Sequence, residues 1–408
     1  MSASPPLNST RQPRILILGG DSDFNLGDTA ILHAICECLH AANPDVRISI
    51  TSKLRNTALR PGVVRVIHRG TLGMKACLGA ARQQDLLIIG GGGLFQDDDS
   101  RLKMPYWGAL VGSLRLLNDN IAALSLGAGP LRHWESRRVA RWICRSLKTV
   151  SVRDQFARGW LEPCAGRPID LVPDPAFMLA PASPEAGRQL IESTGLSLSR
   201  PIIGVALRRW FHALGGMVPH VLRSRAGLGR DAGQRELDRL LDQVASALQD
   251  IAGTLRAQVL LMPTYNISHE ADELVCQRLA ARLPMLDIRL ARISDPALYK
   301  SVAGHLRLMI SARMHPLILA ASMNVPIVGL AYNGKFEGLF DLLGIPRRLV
   351  WMNESRNQSV QARIVELAAE ALRDSTDLRA RAQQLEAIVR ARAVELLRIA
   401  EERAARRA

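Results

Sequence analysis

Aromatic side chains are scarce in this 408-residue chain, at 4% of residues, and no basic stretch is interleaved with them. That removes the stacking platform on which single-stranded nucleic acids are held. Long apolar runs are missing too. No stretch approaches 18 uninterrupted apolar residues, so no membrane-spanning helix is expected. The six cysteines (Cys36, Cys38, Cys77, Cys144, Cys164 and Cys276) are scattered without a CxxC pair. Cys36 and Cys38 fall two apart in a predicted helix, where side chains point away from each other. A zinc site is not expected from that spacing; reduced, buried thiols in a cytoplasmic protein are. Acidic residues are short, 38 against 53 Lys and Arg, for a net charge of +15. Such a balance favours anionic partners, whether nucleic acid, acidic lipid or phosphorylated small molecules; an Arg-rich coding bias is the plain alternative. The 48% apolar fraction suits a soluble globular protein.

At this length two domains are expected. Residues 1–13 are Ser/Pro-rich and polar, without an apolar segment, and read as a disordered tail, not a signal peptide. From residue 14 to 180, short β runs alternate with helical patterns, which predicts a parallel sheet covered on both faces. The Pro/Ser/Gly-rich stretch 181–200 reads as a linker. A second α/β set follows over 201–376. Residues 377–408 form a predicted amphipathic helix, with Leu378, Leu385, Ile388, Leu396 and Ile399 roughly on one stripe. Its end, Arg403 to Arg407, reads either as a solvated helix terminus or as a contact for acidic lipid. Two Rossmann-like domains of similar size facing a cleft, closed by a C-terminal amphipathic helix, is the GT-B-like arrangement.

Ser311-Ala312-Arg313-Met314-His315-Pro316 stands between an apolar strand and a helical run. Arg313 and His315 therefore lie in a turn at a strand's carboxyl end, where open α/β sheets bind ligands. An always-charged fork sits two residues from a group that titrates near neutrality, which suits an anionic substrate that needs a proton moved. As a loop residue, Arg313 is expected to have no core packing depending on it. The next strand, Ile327 to Leu330, ends in Tyr332 and Lys335. Another ends in Arg208-Arg209, inside a stretch from Ser193 to Arg230 that contains six arginines and no acid; these make a candidate phosphate and carboxylate clamp. Met262-Pro263-Thr264-Tyr265, with His269, Glu270 and Asp272, closes a further strand.

Two glycine turns belong to the first half. Gly19-Gly20 leads to Asn25-Leu26-Gly27-Asp28, where Asp28 is the expected N-cap and the helix start can receive an anionic or hydroxylated ligand. This turn matches neither the G-x-G-x-x-G fingerprint nor the Walker P-loop, so no nucleotide cofactor is indicated. Gly90, Gly91, Gly92 and Gly93 follow a buried strand. Four glycines cost backbone entropy, and imply that something sits close against them. Asp97, Asp98 and Asp99 come next, but consecutive carboxylates need not converge and no His joins them, so no metal is expected.

Together these segments resemble the polysaccharide pyruvyl transferase family. The matching pieces are Asn25-Leu26-Gly27-Asp28 with Ala30-Ile31, Gly91-Gly92-Gly93 with Asp97, Ser151-Val152-Arg153-Asp154, Asp174-Pro175-Ala176, and Ser311-x-Arg313-x-His315-x-x-Ile318-x-Ala320 with Tyr332-x-x-Lys335. They span roughly Arg14 to Gly344. The resemblance implies a GT-B-like fold and a transferase that places a pyruvate ketal from phosphoenolpyruvate across two hydroxyls of a sugar in a polysaccharide or its precursor. It implies that Arg313 and His315 hold and activate phosphoenolpyruvate, with Arg208 as a further anion ligand. Protonation of the methylene carbon makes His315 the acid/base candidate, and Arg313 and Lys335 would steady the departing phosphate. Asn25, Asp28, Gly91, Gly92, Gly93 and Tyr332 complete the expected binding set. No cofactor or metal is called for. The acceptor is a sugar, free or lipid-linked, and the location cytoplasmic or peripheral at the membrane's inner face. Two other readings stay open: a GT-B glycosyltransferase using a nucleotide sugar, and a non-enzymatic basic scaffold.

Overall fold

Runs of Ile, Leu and Val four to eight residues long, closed by glycine or a polar residue, become strands buried on both faces, and the amphipathic segments between them become the helices that cover them. In the computed structural model the described residues are 11–19, 24–52, 63–68, 74–98, 100–209, 232–265, 271–352, 359–374 and 376–407. The first sheet comprises β1 (Arg14–Leu18), β2 (Arg47–Ser52), β3 (Val63–His68), β4 (Leu86–Gly90), β5 (Gly93–Phe95), β6 (Ile121–Ala128), β7 (Thr149–Val152) and β8 (Asp170–Leu171). Its order is β3-β2-β1-β4-β6-β7-β8, with β5 alongside β6, and every pairing is parallel. Helices α1 (Leu26–Ala42), α2 (Met74–Ala81), α3 (Lys103–Arg115), α4 (Trp134–Ser146) and α5 (Gln155–Ala165) flank it.

The second sheet has β9 (Ile202–Ala206), β10 (Gln258–Leu261), β11 (Ile288–Leu290), β12 (Leu308–Ser311), β13 (Ile327–Ala331) and β14 (Leu349–Trp351). Its order, β11-β10-β9-β12-β13-β14, is again wholly parallel. In both sheets the first strand separates two runs that grow in opposite directions, β2 from β4 and β10 from β12. That reversal opens a crevice at the strands' carboxyl ends, and the glycine turns and the Arg-x-His turn follow strands at these two reversals.

The stretch expected as a linker is not extended. It contains the ten-residue helix α6 (Pro184–Ser193), whose N-cap Ser183 accepts from the Ala186 amide. Proline at its first position costs nothing, since that N–H has no partner in the helix. The helix packs on α9 (Pro296–Ala303), where Ser301 Oγ donates to the Ser183 carbonyl at 2.8 Å.

The terminal helix, α13 (Leu378–Arg407), runs 30 residues. Arg381 near its start donates to the Leu342 carbonyl in the second domain. Arg392 near its middle pairs with Asp170 of the first, and Arg407 reaches Asp85 beneath the first sheet. Its apolar stripe, including Leu385, Val389, Leu396 and Ala400, joins one core cluster with Ile15, Ile88 and Leu317. Ile388, placed on that stripe by the sequence pattern, is instead 45% exposed, and Val389 takes the buried position. Arg403, one of the terminal arginines, pairs with Asp119, while Arg406 is 80% exposed. No helix among the described residues is long and apolar enough to cross a membrane. All six cysteines are buried thiols.

Candidate active site

The first domain's contribution begins at the start of α1. Asn25, not Asp28, is its cap: the Asn25 Oδ1 accepts from the Gly27 amide at 3.0 Å. Asp28 sits three residues on, in the first turn, where its carboxylate accepts from Asn25 Nδ2 at 3.2 Å and favours the positive end of the helix dipole. The glycines after β4 face this helix. Gly91 and Gly92 have φ of +73° and +77°, a region glycine enters without steric cost. A Cβ on Gly91 would come within 2.2 Å of Ile31 Cγ2, and one on Gly92 within 2.7 Å of Asp28 Oδ1. The close approach expected for a ligand is thus made, at these two positions, by side chains of α1. Gly93 belongs to β5, and its carbonyl accepts from Lys103 Nζ at 3.1 Å. Asp97 accepts from the Arg132 and His133 amides, both at 2.9 Å, and so fixes the entry to α4. Among the described residues no group of three or more His, Cys, Asp and Glu converges as metal ligands.

The second domain supplies the charge. Four neighbouring strands, β10, β9, β12 and β13, end on one edge and carry Tyr265, Arg208, Arg313 with His315, and Tyr332 with Lys335. Arg208 Nη1 donates to the Tyr332 hydroxyl at 2.6 Å, and Lys335 Nζ reaches the same oxygen. Both cations also lie on the Tyr332 ring, at 4.8 Å for Arg208 and 4.5 Å for Lys335. Burial pushes the Tyr332 phenol up, but Arg208, Lys335 and Arg313 outweigh it and bring it down to about 8. Burial lowers the Lys335 ammonium, and Arg208 and Arg153 add to the effect against Tyr332.

Arg313 is not a surface loop residue. Its Nε and Nη2 bond the two oxygens of Asp272 at 3.0 and 2.6 Å, and the side chains are 11% and 0% exposed. Asp272 Oδ2 also accepts from Thr264 N, Thr264 Oγ1 and Tyr265 N. Burial raises the Asp272 carboxyl while Arg313 pulls it back. The fork expected to grip substrate is therefore already filled on two of its nitrogens, because the strand end before α8 (Asp272–Ala280) brings a buried carboxylate beside it.

His315 is where the two domains meet. Its ring lies against the backbone of α1: a Cβ on Gly27 would stand 1.9 Å from His315 Nδ1. Nε2 is buried without a hydrogen bond and lies 3.7 Å from Asp174 Oδ2. Burial raises the Asp174 carboxyl, but His315, Arg153 and the Ala176 amide together hold it below its ordinary value. Arg153 donates to Asp154 at 3.0 Å and to Asp174 at 3.5 Å. It passes so close to Gly127 that a Cβ there would meet its guanidinium at 2.9 Å. The junction is closed by the Leu26 amide donating to the Thr264 carbonyl at 3.0 Å and by a bridge between Asn25 and Tyr265.

Arg208, Arg313, His315, Tyr332 and Lys335 are thus gathered on one edge, with Asn25 and Asp28 across from them. Gly91 and Gly92 pack behind α1. Gly27, Arg153, Asp174 and Asp272 were not among the expected site residues. Gly27, Arg153 and Asp174 stand inside the motifs quoted above, and only Arg153, directly after β7, carries the local signal of a charge that follows a strand. His269, Glu270, Asp99 and the arginines at 223, 225 and 230 lie outside the described residues.

The profile of the polysaccharide pyruvyl transferase family matches residues 25–334. The chain belongs to that family. The match begins at the Asn25 cap and ends just before Lys335, and so takes in both sides of the junction. Among curated proteins, none matches the chain in sequence. Among solved structures, UDP-GlcNAc 2-epimerase from Methanocaldococcus jannaschii superposes with a TM-score of 0.59 at 13% identity, covering 94% of this chain and 100% of that one. The Neisseria meningitidis UDP-GlcNAc 2-epimerase gives 0.55 at 10% identity, covering 95% and 100%. At such identities the likeness is one of fold: two Rossmann-like domains across a cleft, GT-B-like, here in a pyruvyl transferase family member.

Proposed function

We propose that this transferase moves the pyruvate unit of phosphoenolpyruvate onto two hydroxyls of a sugar in a polysaccharide or its precursor, forming a ketal and releasing inorganic phosphate. The observation that carries the reading is the convergence of Arg208 and Lys335 on the Tyr332 hydroxyl, with His315 in the adjacent strand-end turn. A compact trianion needs such clustered cations, and donors aimed at the leaving phosphate are worth most in a partly dry cleft.

In this scheme His315 gives its proton to the methylene carbon, which becomes a methyl group. A sugar hydroxyl adds to the carbon that carries the phosphate, and loses its proton. Phosphate departs with its bonding electron pair, and the second hydroxyl closes the ketal as it too loses a proton. Two hydroxyl protons are released, one methylene proton is gained, and no oxidant enters. Asp174 Oδ2, 3.7 Å from Nε2, fixes the direction in which the ring faces. Arg208 and Lys335 take the phosphate. Arg313, held by Asp272, acts as a positioning residue whose charge helps keep Tyr332 acidic. The countercharge comes from side chains, so the scheme needs no metal. The buried thiols and this donor both suit the cytoplasm.

Thermal-shift titration of the full chain with phosphoenolpyruvate, uridine diphosphate and heparin, in the presence of a chelator, tests the reading. Stabilisation by phosphoenolpyruvate at micromolar to low millimolar concentration is expected. A response to uridine diphosphate alone would replace it with a nucleotide-sugar transferase, and strict dependence on magnesium or manganese would overturn the metal-free scheme.

A further inference from the structure

The exposed apolar side chains are not spread evenly. Of eight large hydrophobic residues exposed among the described ones, five lie on α3 and α4 or at the ends of α3: Leu102, Tyr106, Leu116, Trp134 and Trp142. Leu116 is 87% exposed and Trp134 65%. On α3 the outward stripe, Leu102, Tyr106, Ala109 and Leu116, bears no charge. On α4 the outward stripe is Trp134, Arg138, Arg141 and Arg145, all exposed, at the i, i+4, i+7 and i+11 spacing of one helix face.

The two stripes form one surface because the helices pack closely. A Cβ on Gly108 of α3 would come within 2.8 Å of Val139 of α4, and one on Gly112 within 3.4 Å of the Trp142 ring. Each helix turns its neighbour-facing side about a quarter-turn from its exposed stripe, so both stripes look outward together. Acid is sparse there: Asp119, just past Leu116, is exposed but paired with Arg403. Glu135 is the lone carboxylate of α4, and it is paired with Arg101.

We propose that this α3–α4 face docks on an anionic lipid bilayer. Tryptophan and tyrosine settle at the headgroup level, where one edge of the ring is apolar and the other wet. Arginines around them meet acidic headgroups while their stems lie along the apolar stripe. The Arg138 guanidinium already stands over the Trp134 ring, 5.6 Å from its centroid, as it would with the ring inserted and the charge level with phosphate. Net charge and apolar content together fit a lipid surface better than a nucleic acid, which would leave Leu102 and Leu116 uncovered.

The location bears on the acceptor. Both helices begin at the carboxyl edge of the first sheet. Lys103, at the start of α3, holds the Gly93 carbonyl, and Asp97, from the same glycine-rich loop, fixes the start of α4. The docking face therefore starts at the cleft rim. A sugar carried on a lipid anchor would reach the cleft from the membrane without leaving it. This docking does not depend on which donor the cleft takes.

The test is co-sedimentation of the full chain with vesicles of phosphatidylcholine alone or mixed equally with phosphatidylglycerol, at low and high salt. Binding to the anionic vesicles, lost in high salt, is expected. Arg138→Gln with Arg141→Gln should weaken it about 30-fold, since each basic residue near an anionic surface contributes roughly fivefold. Trp134→Ala with Trp142→Ala should weaken it at either salt. Unchanged melting temperature and phosphoenolpyruvate response keep a fold defect or a failed donor assignment distinguishable from lost docking. No binding to anionic vesicles, or binding that neither pair of substitutions reduces, overturns the proposal. So does capture of heparin or RNA through the same arginines with the tryptophans irrelevant, or self-association abolished by the tryptophan substitutions.

Discussion

Replacing Arg313 by alanine should damage the fold as well as the reaction. The substitution leaves Asp272, fully buried, without its bidentate partner. The three remaining donors, from Thr264 and Tyr265, are neutral and cannot balance its charge. Breaking a buried pair by removing one member costs about 3–5 kcal/mol, and with Arg313 only 11% exposed little solvent screening reduces that. At roughly 2–4 °C per kcal/mol for domains of 150–250 residues, the melting temperature should fall by about 6–20 °C. Adding Asp272→Asn removes the stranded charge but keeps an oxygen for the Thr264 amide, and should recover more than half of the loss. Arg313→Lys, which keeps the charge without the fork, should fall between. The assay is calorimetry on the parent, Arg313→Ala, Asp272→Asn and the double variant, closed as a double-mutant cycle, with Arg313→Lys measured alongside. An Arg313→Ala protein that melts within about 1 °C of the parent, yet is inactive, would refute this account and return Arg313 to a loop role with substrate as its sole partner.

Other outcomes follow from the same site. Phosphoenolpyruvate affinity should fall as pH rises from 7 to 9, because the Tyr332 phenol ionises near 8 and Lys335, also pushed down, loses charge in the same direction. A phenol more acidic in the folded state than in the unfolded one stabilises the fold as pH rises from 8 towards 10, so stability and affinity should move oppositely. Tyr332→Phe should flatten the affinity profile, measured by isothermal titration; a flat profile in the parent protein would contradict the assignment. His315→Ala should lower turnover about 10²–10⁴-fold with donor binding kept, whereas a His315→Gln enzyme that retains most activity would make His315 a phosphate ligand alone. Gly27→Ala places a methyl group 1.9 Å from His315 Nδ1, and should mimic His315→Ala in turnover without a comparable loss of stability, since alanine favours a helix over glycine by roughly 1 kcal/mol.

The strands were legible because burial on both faces demands unbroken apolar runs, and β1, β4 and β12 are such runs. The Arg-x-His turn and the Tyr332/Lys335 turn were legible for a related reason: polar residues that abruptly follow a buried strand mark its carboxyl end. The partners of those residues were not. Asp272 lies 41 residues before Arg313, and Gly27 and Asp174 come to His315 from the other domain, so no local pattern announces them. The neighbour of the four-glycine run is hidden for the same reason. The run's need for close approach was evident, but the neighbour that approaches Gly91 and Gly92 is α1 itself. The Pro/Ser/Gly content around helix α6 obscures it in the sequence, although Ser183-Pro184-Glu185 carries a cap, a first-position proline and an acidic first turn.

The terminal helix α13 imposes an order on biosynthesis. Its apolar stripe covers the face of the first sheet formed by β1, β4 and β6, yet it is made only after both sheets. At about 5–20 residues per second, the ribosome needs roughly 10–50 s to travel from the end of the first domain to that helix. Through that interval the nascent first domain carries an uncovered hydrophobic face, with its final covering still to be translated. The linear arrangement of the chain thus separates that face from part of its cover in time, and loss of the last three turns of α13 would uncover the portion now lying under Leu397, Ala400 and Ala404.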